Sequence, residues 1–358
     1  MLTLKDIQTE YAFTATEGSI ACADGSINMM ALGGYSEVIR LFDVRKKKDL
    51  GELAGEHNGS ITCLQFYKNK FLISASEDSK IIIWRCKDWN PLHKLIIKNT
   101  SKVISMSLHH SGKMLLALYD NGVLRLWNMM EARCNYKKKM GLVEEVEEGA
   151  EEKEDSDLDL EITEVTKKDL NDLERKPIIV KWEPSKGVIY AVLYNRMLEI
   201  YDPSVTANGD KPCASAIFDS TVVSFDYISA TSIVVTDTEG NLIVIKNIEH
   251  DENLDLHIFR TKFSKIRELK TSYNRQLDQF EYITGVTLDS KVPIWYCSTI
   301  SNFDQDLEEL KPNKVIKSKW RLTCMCINNL KDFKPHAKKK KEKNVKKAEV
   351  KKENTEKK

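Results

Sequence analysis

No apolar run in the 358-residue chain is longer than a single β-strand, so no segment is expected to cross a bilayer as a helix. The N-terminus has no apolar block of the kind a secretory signal needs. Eight cysteines are scattered without a CxxC pair, the pattern of reduced thiols rather than a disulfide framework or a zinc site. The triplet Cys324-Met325-Cys326 is expected to lie in a strand with its thiols on opposite faces, which argues against a metal pair. GxSxG, P-loop, GxGxxG and HExxH motifs are all missing. His109-His110, just before Ser111-Gly112, reads as a strand-connecting turn rather than a ligand set. The expectation is a non-enzymatic protein with no catalytic residues, cofactor, metal, small-molecule substrate or membrane partner.

What is present is repetition. "EDSKIIIWR" at 77–85 returns as "LDSKVPIWY" at 288–296. The unit of turn, alternating apolar strand and aromatic residue also ends at Phe42, Trp127 and Tyr201, and more weakly at Ile245 in "TEGNLIVIKN". Successive anchors lie 42, 43, 74, 44 and 50 residues apart, where a WD-repeat blade takes about 40 to 45. The long interval contains an acidic run with fifteen Asp and Glu against three Lys between Glu144 and Glu174. So charged a segment cannot bury a core, and it is expected to be a disordered insertion, 141–176, between two blades. Removing it restores the period.

The clearest unit is "HNGSITCLQFYKNKFLISASEDSKIIIWRCKDWNPLHKL" at 57–95. Residues 61–66 alternate with period two, 67–70 supply a turn, and residues 71–74 begin a second apolar run. Residues 81–84 are almost continuously apolar, as in a strand covered on both faces. β-Branched density and punctuation every few residues favour sheet over helix. His57, Ser74, Asp78 and Trp84 stand where WD-repeat proteins carry a hydrogen-bonded relay, and Asp289 and Trp295 repeat part of it. Their expected role is structural, because a buried, satisfied polar network stiffens one packing arrangement. In the degenerate units Ser36, Asn121, Asn195 and Glu239 take the Asp position, and Ile245 replaces the aromatic residue.

Together with "HHSGKMLLALYDNGVLRLWNMMEAR", "VKWEP", "YNRMLEIYD", "ITGVTLDSKVPIW" and the closing "RLTCMCI", this unit resembles the nucleolar WD-repeat family of maintenance-of-killer and activated-kinase-interacting proteins. The resemblance runs through most of residues 15–330. It implies an all-β WD-repeat β-propeller over 1–330, with seven blades, the last incomplete or closed by N-terminal residues such as 2–13; the alternative is six blades plus a partial blade. It further implies a scaffold in biogenesis of the large (60S) ribosomal subunit, located in the nucleus and nucleolus. The implied partners are pre-60S ribosomal particle proteins and assembly factors, with a role supporting rRNA processing. The alternative is an adaptor that binds and negatively regulates a protein kinase.

The net charge of +1 hides a segregation. The acidic run carries a net −12, whereas 331–358 holds thirteen Lys against five acids. This basic tail is expected to be disordered. Its Lys338, Lys339, Lys340, Lys341, Lys343, Lys346 and Lys347 suit a nuclear-localisation signal or contact with the phosphates of pre-rRNA. Lysine in place of arginine favours salt-sensitive attraction over base-specific contact. The acidic run could fold back on this tail. Lys137, Lys138 and Lys139 could extend an anion-binding surface, with a solvated loop as the simpler reading.

Overall fold

The structure is a computed structural model and describes residues 19–26, 28–97, 101–141, 175–203, 211–248, 254–275, 277–301, 309–318 and 322–327. Among these lie six four-stranded antiparallel sheets, each a simple meander in chain order. Blade 1 contains β1 (Ile20–Gly25), β2 (Met29–Gly34), β3 (Ile39–Asp43) and β4 (Lys48–Leu53). Blade 2 contains β5 (Ile61–Tyr67), β6 (Phe71–Ser76), β7 (Lys80–Arg85) and β8 (Asn90–Ile96). Blade 3 contains β9 (Val103–Leu108), β10 (Met114–Tyr119), β11 (Val123–Asn128) and β12 (Arg133–Lys139). Blade 4 contains β13 (Pro177–Trp182), β14 (Tyr190–Tyr194), β15 (Met197–Tyr201) and β16 (Ala214–Ile217). Blade 5 contains β17 (Val222–Ser229), β18 (Ser232–Asp237), β19 (Leu242–Lys246) and β20 (Asp255–Phe259). Blade 6 contains β21 (Ile266–Asn274), β22 (Gln279–Thr287), β23 (Lys291–Tyr296) and β24 (Lys314–Lys317), with one short helix, α1 (Cys297–Ser301), after β23.

Hydrophobic pattern decides each strand's place. In blade 2 the second and third strands are apolar on both faces and are covered by the blades to either side. Leu72 and Ile73, adjacent on β6, are both buried, as are Ile81 and Ile82 on β7. The outermost strands are the most exposed, as in β4, and in β12 exposed and covered positions alternate regularly. The core is therefore a series of interblade clusters. Ile73, Ile81 and Ile83 of blade 2 pack with Leu115, Ala117 and Trp127 of blade 3. Leu116, Leu118 and Leu124, on the opposite face of blade 3, pack with Trp182, Val192 and Tyr194 of blade 4.

The sequence period is repeated by the backbone. Ser79, Gly122, Gly240 and Ser290 all have positive φ, and each lies five residues before its anchor, Trp84, Trp127, Ile245 or Trp295. Lys47, Trp89 and Ala132 also have positive φ, between 53° and 58°, and each lies five residues after Phe42, Trp84 or Trp127. Chain position thus predicts even the left-handed residue of two different turns.

The seven-blade expectation is corrected. Six complete blades are described, which is the alternative form, and residues 322–327 pair with no strand among the described residues. Residues 2–13 lie outside the described residues, as do 142–174 and the basic tail. The flanks of the acidic run come together: a Cβ on Gly141 would stand 2.6 Å from the carbonyl oxygen of Arg175. Blades 3 and 4 are therefore neighbours in space across the interval that breaks the sequence period.

Candidate functional site: a stitched ring

The relay positions of blade 2 converge. Asp78 opens the β6–β7 turn, where its carboxylate accepts the backbone N–H groups of Asn58 at 2.9 Å and Lys80 at 3.0 Å. His57 Nδ1 lies 3.3 Å from both carboxylate oxygens, and its Nε2 lies 2.7 Å from Ser74 Oγ. The Trp84 indole donates to the same Ser74 hydroxyl at 2.8 Å. One tautomer satisfies every atom: Nδ1–H donates to Asp78, and Nε2 accepts the Ser74 proton. Burial alone would raise the Asp78 carboxyl, but the Asn58 and Lys80 N–H groups, His57 and the Lys80 side chain hold it below its usual value. Burial pushes the His57 imidazole down, against the pull of Asp78.

In the other blades the network is partial. Asp289 accepts from Ser264 Oγ at 3.0 Å and Thr287 Oγ1 at 2.5 Å and pairs with Lys291. Trp295 is fully buried, yet its indole nitrogen has no partner. Asn121 does substitute for Asp78, accepting the Val123 N–H at 3.1 Å and donating to Ser101 at 2.7 Å. In blade 5 the anchoring carboxylate is Asp237 rather than Glu239. Asp237 is buried and binds the N–H groups of Glu239 and Asn241, the Asn241 amide and Ser220. The aspartate stands two residues ahead of the position that alignment on Ile245 assigns.

Around the centre runs a second network that motif reading missed. A side chain on the innermost strand of each blade bonds to the innermost strand of the next. Asp24 Oδ2 accepts the Phe66 N–H at 2.5 Å, and Gln65 Oε1 accepts that of Leu108 at 2.8 Å. Ser105 and Ser107 accept from Val180 at 3.1 Å and Trp182 at 2.9 Å. Lys181 donates to the Phe225 carbonyl at 2.6 Å and pairs with Asp226 at 3.3 Å. Ser224 and Asp226 then accept from Leu269 at 3.1 Å and Thr271 at 2.9 Å. Glu268 Oε2 accepts the Met325 N–H at 2.8 Å. The innermost position after blade 6 is therefore filled by 322–327, and the stitches continue into it. Signals for this belt were in the sequence as position rather than residue type: Asp24, Gln65 and Ser107 are 41 and 42 residues apart, and Lys181, Asp226 and Lys270 are 45 and 44 apart.

The belt concentrates charge in a recessed setting. Burial raises the Asp24 carboxyl, with Lys270 and the Phe66 N–H opposing it. Burial lowers the Lys181 ammonium, against Asp226. Lys270 would also be lowered by burial, but Glu268, Asp24 and Asp226 together hold it above its usual value. Cys324 and Cys326 share these neighbours, so the opposite-face expectation is corrected: residues two apart along an extended chain point the same way. Burial pushes their thiols up to about 11 and about 12, keeping them protonated and poor as ligands or nucleophiles. Among the described residues no cluster of three or more His, Cys, Asp or Glu could hold a metal ion, and no helix is long and apolar enough to cross a membrane.

His109 sits in the β9–β10 turn, as expected. Its Nδ1 lies 2.7 Å from Ser111 Oγ, and its Nε2 donates to the Gly187 carbonyl at 3.1 Å, tying blade 3 to blade 4. Lys137, Lys138 and Lys139 belong to strand β12, which corrects the loop reading. Lys338, Lys339, Lys340, Lys341, Lys343, Lys346 and Lys347 lie outside the described residues.

Residues 48–85, the end of blade 1 and most of blade 2, match the WD40 family, "WD domain, G-beta repeat". A p21-activated protein kinase-interacting protein 1-like from Gallus gallus is 25% identical over 324 residues, covering 89% of this chain and 72% of that protein. Its Danio rerio namesake is 31% identical over 199 residues, 56% of this chain and 44% of the relative. Protein MAK11 of Saccharomyces cerevisiae is 35% identical over 139 residues, 34% of this chain and 33% of that protein. This is a WD-repeat protein similar to the MAK11 and kinase-interacting-protein family. Its fold is the WD-repeat β-propeller, an architecture that hosts many unrelated functions. In the Crystal Structure of Mitotic Checkpoint Complex, one chain superimposes with a TM-score of 0.58 at 14% identity, covering 77% of this chain and 74% of that one, a likeness of fold alone.

Proposed function

We propose that this WD-repeat protein is a non-enzymatic scaffold in biogenesis of the large ribosomal subunit. It binds pre-ribosomal particles and assembly factors in the nucleolus and supports rRNA processing. The observation that carries this reading is the likeness to Protein MAK11, 35% identical over 139 residues, taken with the family resemblance of the blade 2 and blade 3 motifs. The architecture suits the role. A ring stitched from blade to blade keeps its shape, so loops at its two rims can hold several partners at once. Deleting the protein from cells and following precursor RNA tests the proposal. Accumulated large-subunit precursors, and sedimentation of the protein with pre-large-subunit particles, are the expected results; normal precursors with no co-sedimentation would overturn it.

A second reading is favoured by the words "kinase-interacting" and "kinase-binding" in the names of relatives from Gallus gallus, Danio rerio and Schizosaccharomyces pombe. In that reading the ring is an adaptor that restrains a protein kinase. Affinity purification separates the two by whether assembly factors or a kinase are recovered. Removing 338–358 distinguishes them again, because nucleolar accumulation depends on the basic tail in the first reading and kinase binding survives its loss in the second.

A further inference from the structure

The outermost strand of blade 3 is strongly basic. Strand β12 reads Arg-Cys-Asn-Tyr-Lys-Lys-Lys with no carboxylate, and Arg133, Asn135, Lys137 and Lys139 are exposed along it. In the ladder Lys137 stands directly opposite Arg125 of β11. Two like charges face to face across a pair of strands destabilise the sheet. Arg125 lies over the Tyr119 ring at 5.8 Å. Among the described residues no carboxylate pairs with Arg125, Arg133, Lys137 or Lys139; the Lys139 ammonium donates to the Asn121 carbonyl, a neutral acceptor that leaves its charge unbalanced. Several cations on other blades do have a carboxylate partner: Arg40 with Glu52 at 2.5 Å, Lys94 with Glu56, Arg85 with Asp88 at 2.5 Å, Lys262 with Glu309 at 3.0 Å.

A repulsion kept on an exposed strand, where one glutamate would relieve it, suggests that the balancing charge comes from outside the chain. A protein partner is a poor fit: β12 exposes no large apolar side chain, and lysine is depleted from the buried centres of protein interfaces. A polyphosphate chain fits better. Lys137 and Lys139 lie two residues apart on one face, about 6.8 Å along the strand, a spacing comparable to that of successive phosphates in an extended single strand. Lysines offer point charges to such a chain without reading its bases.

We propose that this face of blade 3 binds the phosphate backbone of single-stranded RNA, with Arg133, Lys137 and Lys139 as contacts and Arg125 as the supporting charge behind Lys137. The proposal rests on charge and register and does not need the assembly role, so either can fail without the other.

The test uses the full chain and a labelled polyuridylate oligonucleotide, with binding measured over a series of salt concentrations. Each phosphate contact on a single strand contributes about 0.7 to the slope of log affinity against log salt, so replacing Arg133, Lys137 and Lys139 together by Ala lowers the slope by about 2. A charge-matched control with Lys48, Lys70 and Lys87 replaced by Ala leaves the slope near that of the wild type. Ultraviolet crosslinking places bound RNA on the peptide containing Cys134 and Tyr136. Lys137→Glu alone weakens RNA binding while raising the unfolding midpoint, because it converts the facing like charges into an opposite pair; a merely solvated lysine would not give these opposite signs. An unchanged slope with crosslinks only in 331–358 would overturn the proposal, as would an equal fall in the control. So would polyglutamate binding as tightly as RNA, or carbodiimide crosslinks joining Lys137 or Lys139 to the chain's own acidic run while RNA is present.

Discussion

Trp84 donates its indole N–H to Ser74 Oγ at 2.8 Å. Trp295, at the equivalent place in blade 6, is equally buried and donates to nothing. The pair separates the value of the relay from the value of the aromatic packing. Trp84→Phe loses ring volume and a made hydrogen bond and leaves Ser74 short of a donor, whereas Trp295→Phe loses ring volume and an unmade bond. Both variants are expected to be destabilised, Trp84→Phe by about 1 kcal/mol more, as read from urea unfolding midpoints. Equal losses would mean that the relay adds nothing beyond packing.

The central belt makes a local prediction. Gln65 Oε1 is the acceptor for the Leu108 N–H, in the next blade. Gln65→Ala leaves that donor without its partner, at a cost of about 1 to 3 kcal/mol if no water replaces it. Hydrogen exchange should show lost protection in the peptide containing Leu108, with peptides of blades 5 and 6 unchanged. A uniform loss of protection around the ring would instead show that closure is cooperative across all blades.

Blade 2 was legible because two codes overlapped there. Period-two alternation marked β5, continuous apolar runs marked β6 and β7, and a hydrogen-bonding tetrad at fixed offsets marked the turns between them. Elsewhere one code was lost. At Asp237 the anchoring carboxylate sits inside the end of β18 rather than in the turn after it, so reading by offset settled on Glu239. The belt stayed hidden because Asp, Gln, Ser and Lys all perform the same task there; bonding to a neighbouring backbone constrains position and polarity but not residue type. Lys137 to Lys139 looked like loop because three consecutive lysines contradict strand propensity. In an outermost strand, Lys137 and Lys139 face solvent, while Lys138 lies over the Tyr201 ring of the next blade at 4.5 Å; snorkelling and cation–π contact override the propensity.

Gly112 is a point where the ring tolerates only glycine. Its φ is +73°, and a Cβ there would press into the Tyr67 ring of the neighbouring blade. The Tyr67 hydroxyl, in turn, donates to the Ser111 carbonyl at 2.7 Å. Gly112→Ala combines a left-handed backbone with a clash against a held ring, and about 1 to 3 kcal/mol of stability should be lost. Adding Tyr67→Ala to Gly112→Ala removes the clash but not the strain, so the double variant should lose less than the sum of the two singles. Strict additivity in unfolding experiments would rule out the contact.

Acid should unfold the ring in two stages traceable to blade 2. The His57 imidazole titrates below its ordinary 6.5 because burial disfavours its charged form. The stability it contributes is therefore complete above that value and is lost as pH falls through the lower, folded-state value. Asp78 is held below its ordinary 3.8 by the N–H groups that outweigh its burial, so its contribution survives further acidification and disappears only in a second, more acid limb. Asp78→Asn keeps an oxygen that can accept from Asn58 or Lys80 but cannot ionise. It should be less stable than the wild type at neutral pH, and the gap should close in the more acid limb as the wild-type carboxylate takes up its proton. The earlier limb depends on His57 burial and should persist in the variant. Unfolding midpoints measured from pH 7 down to about pH 2 would show this; a variant running parallel to the wild type throughout would mean that Asp78 is not the group titrating in the second limb.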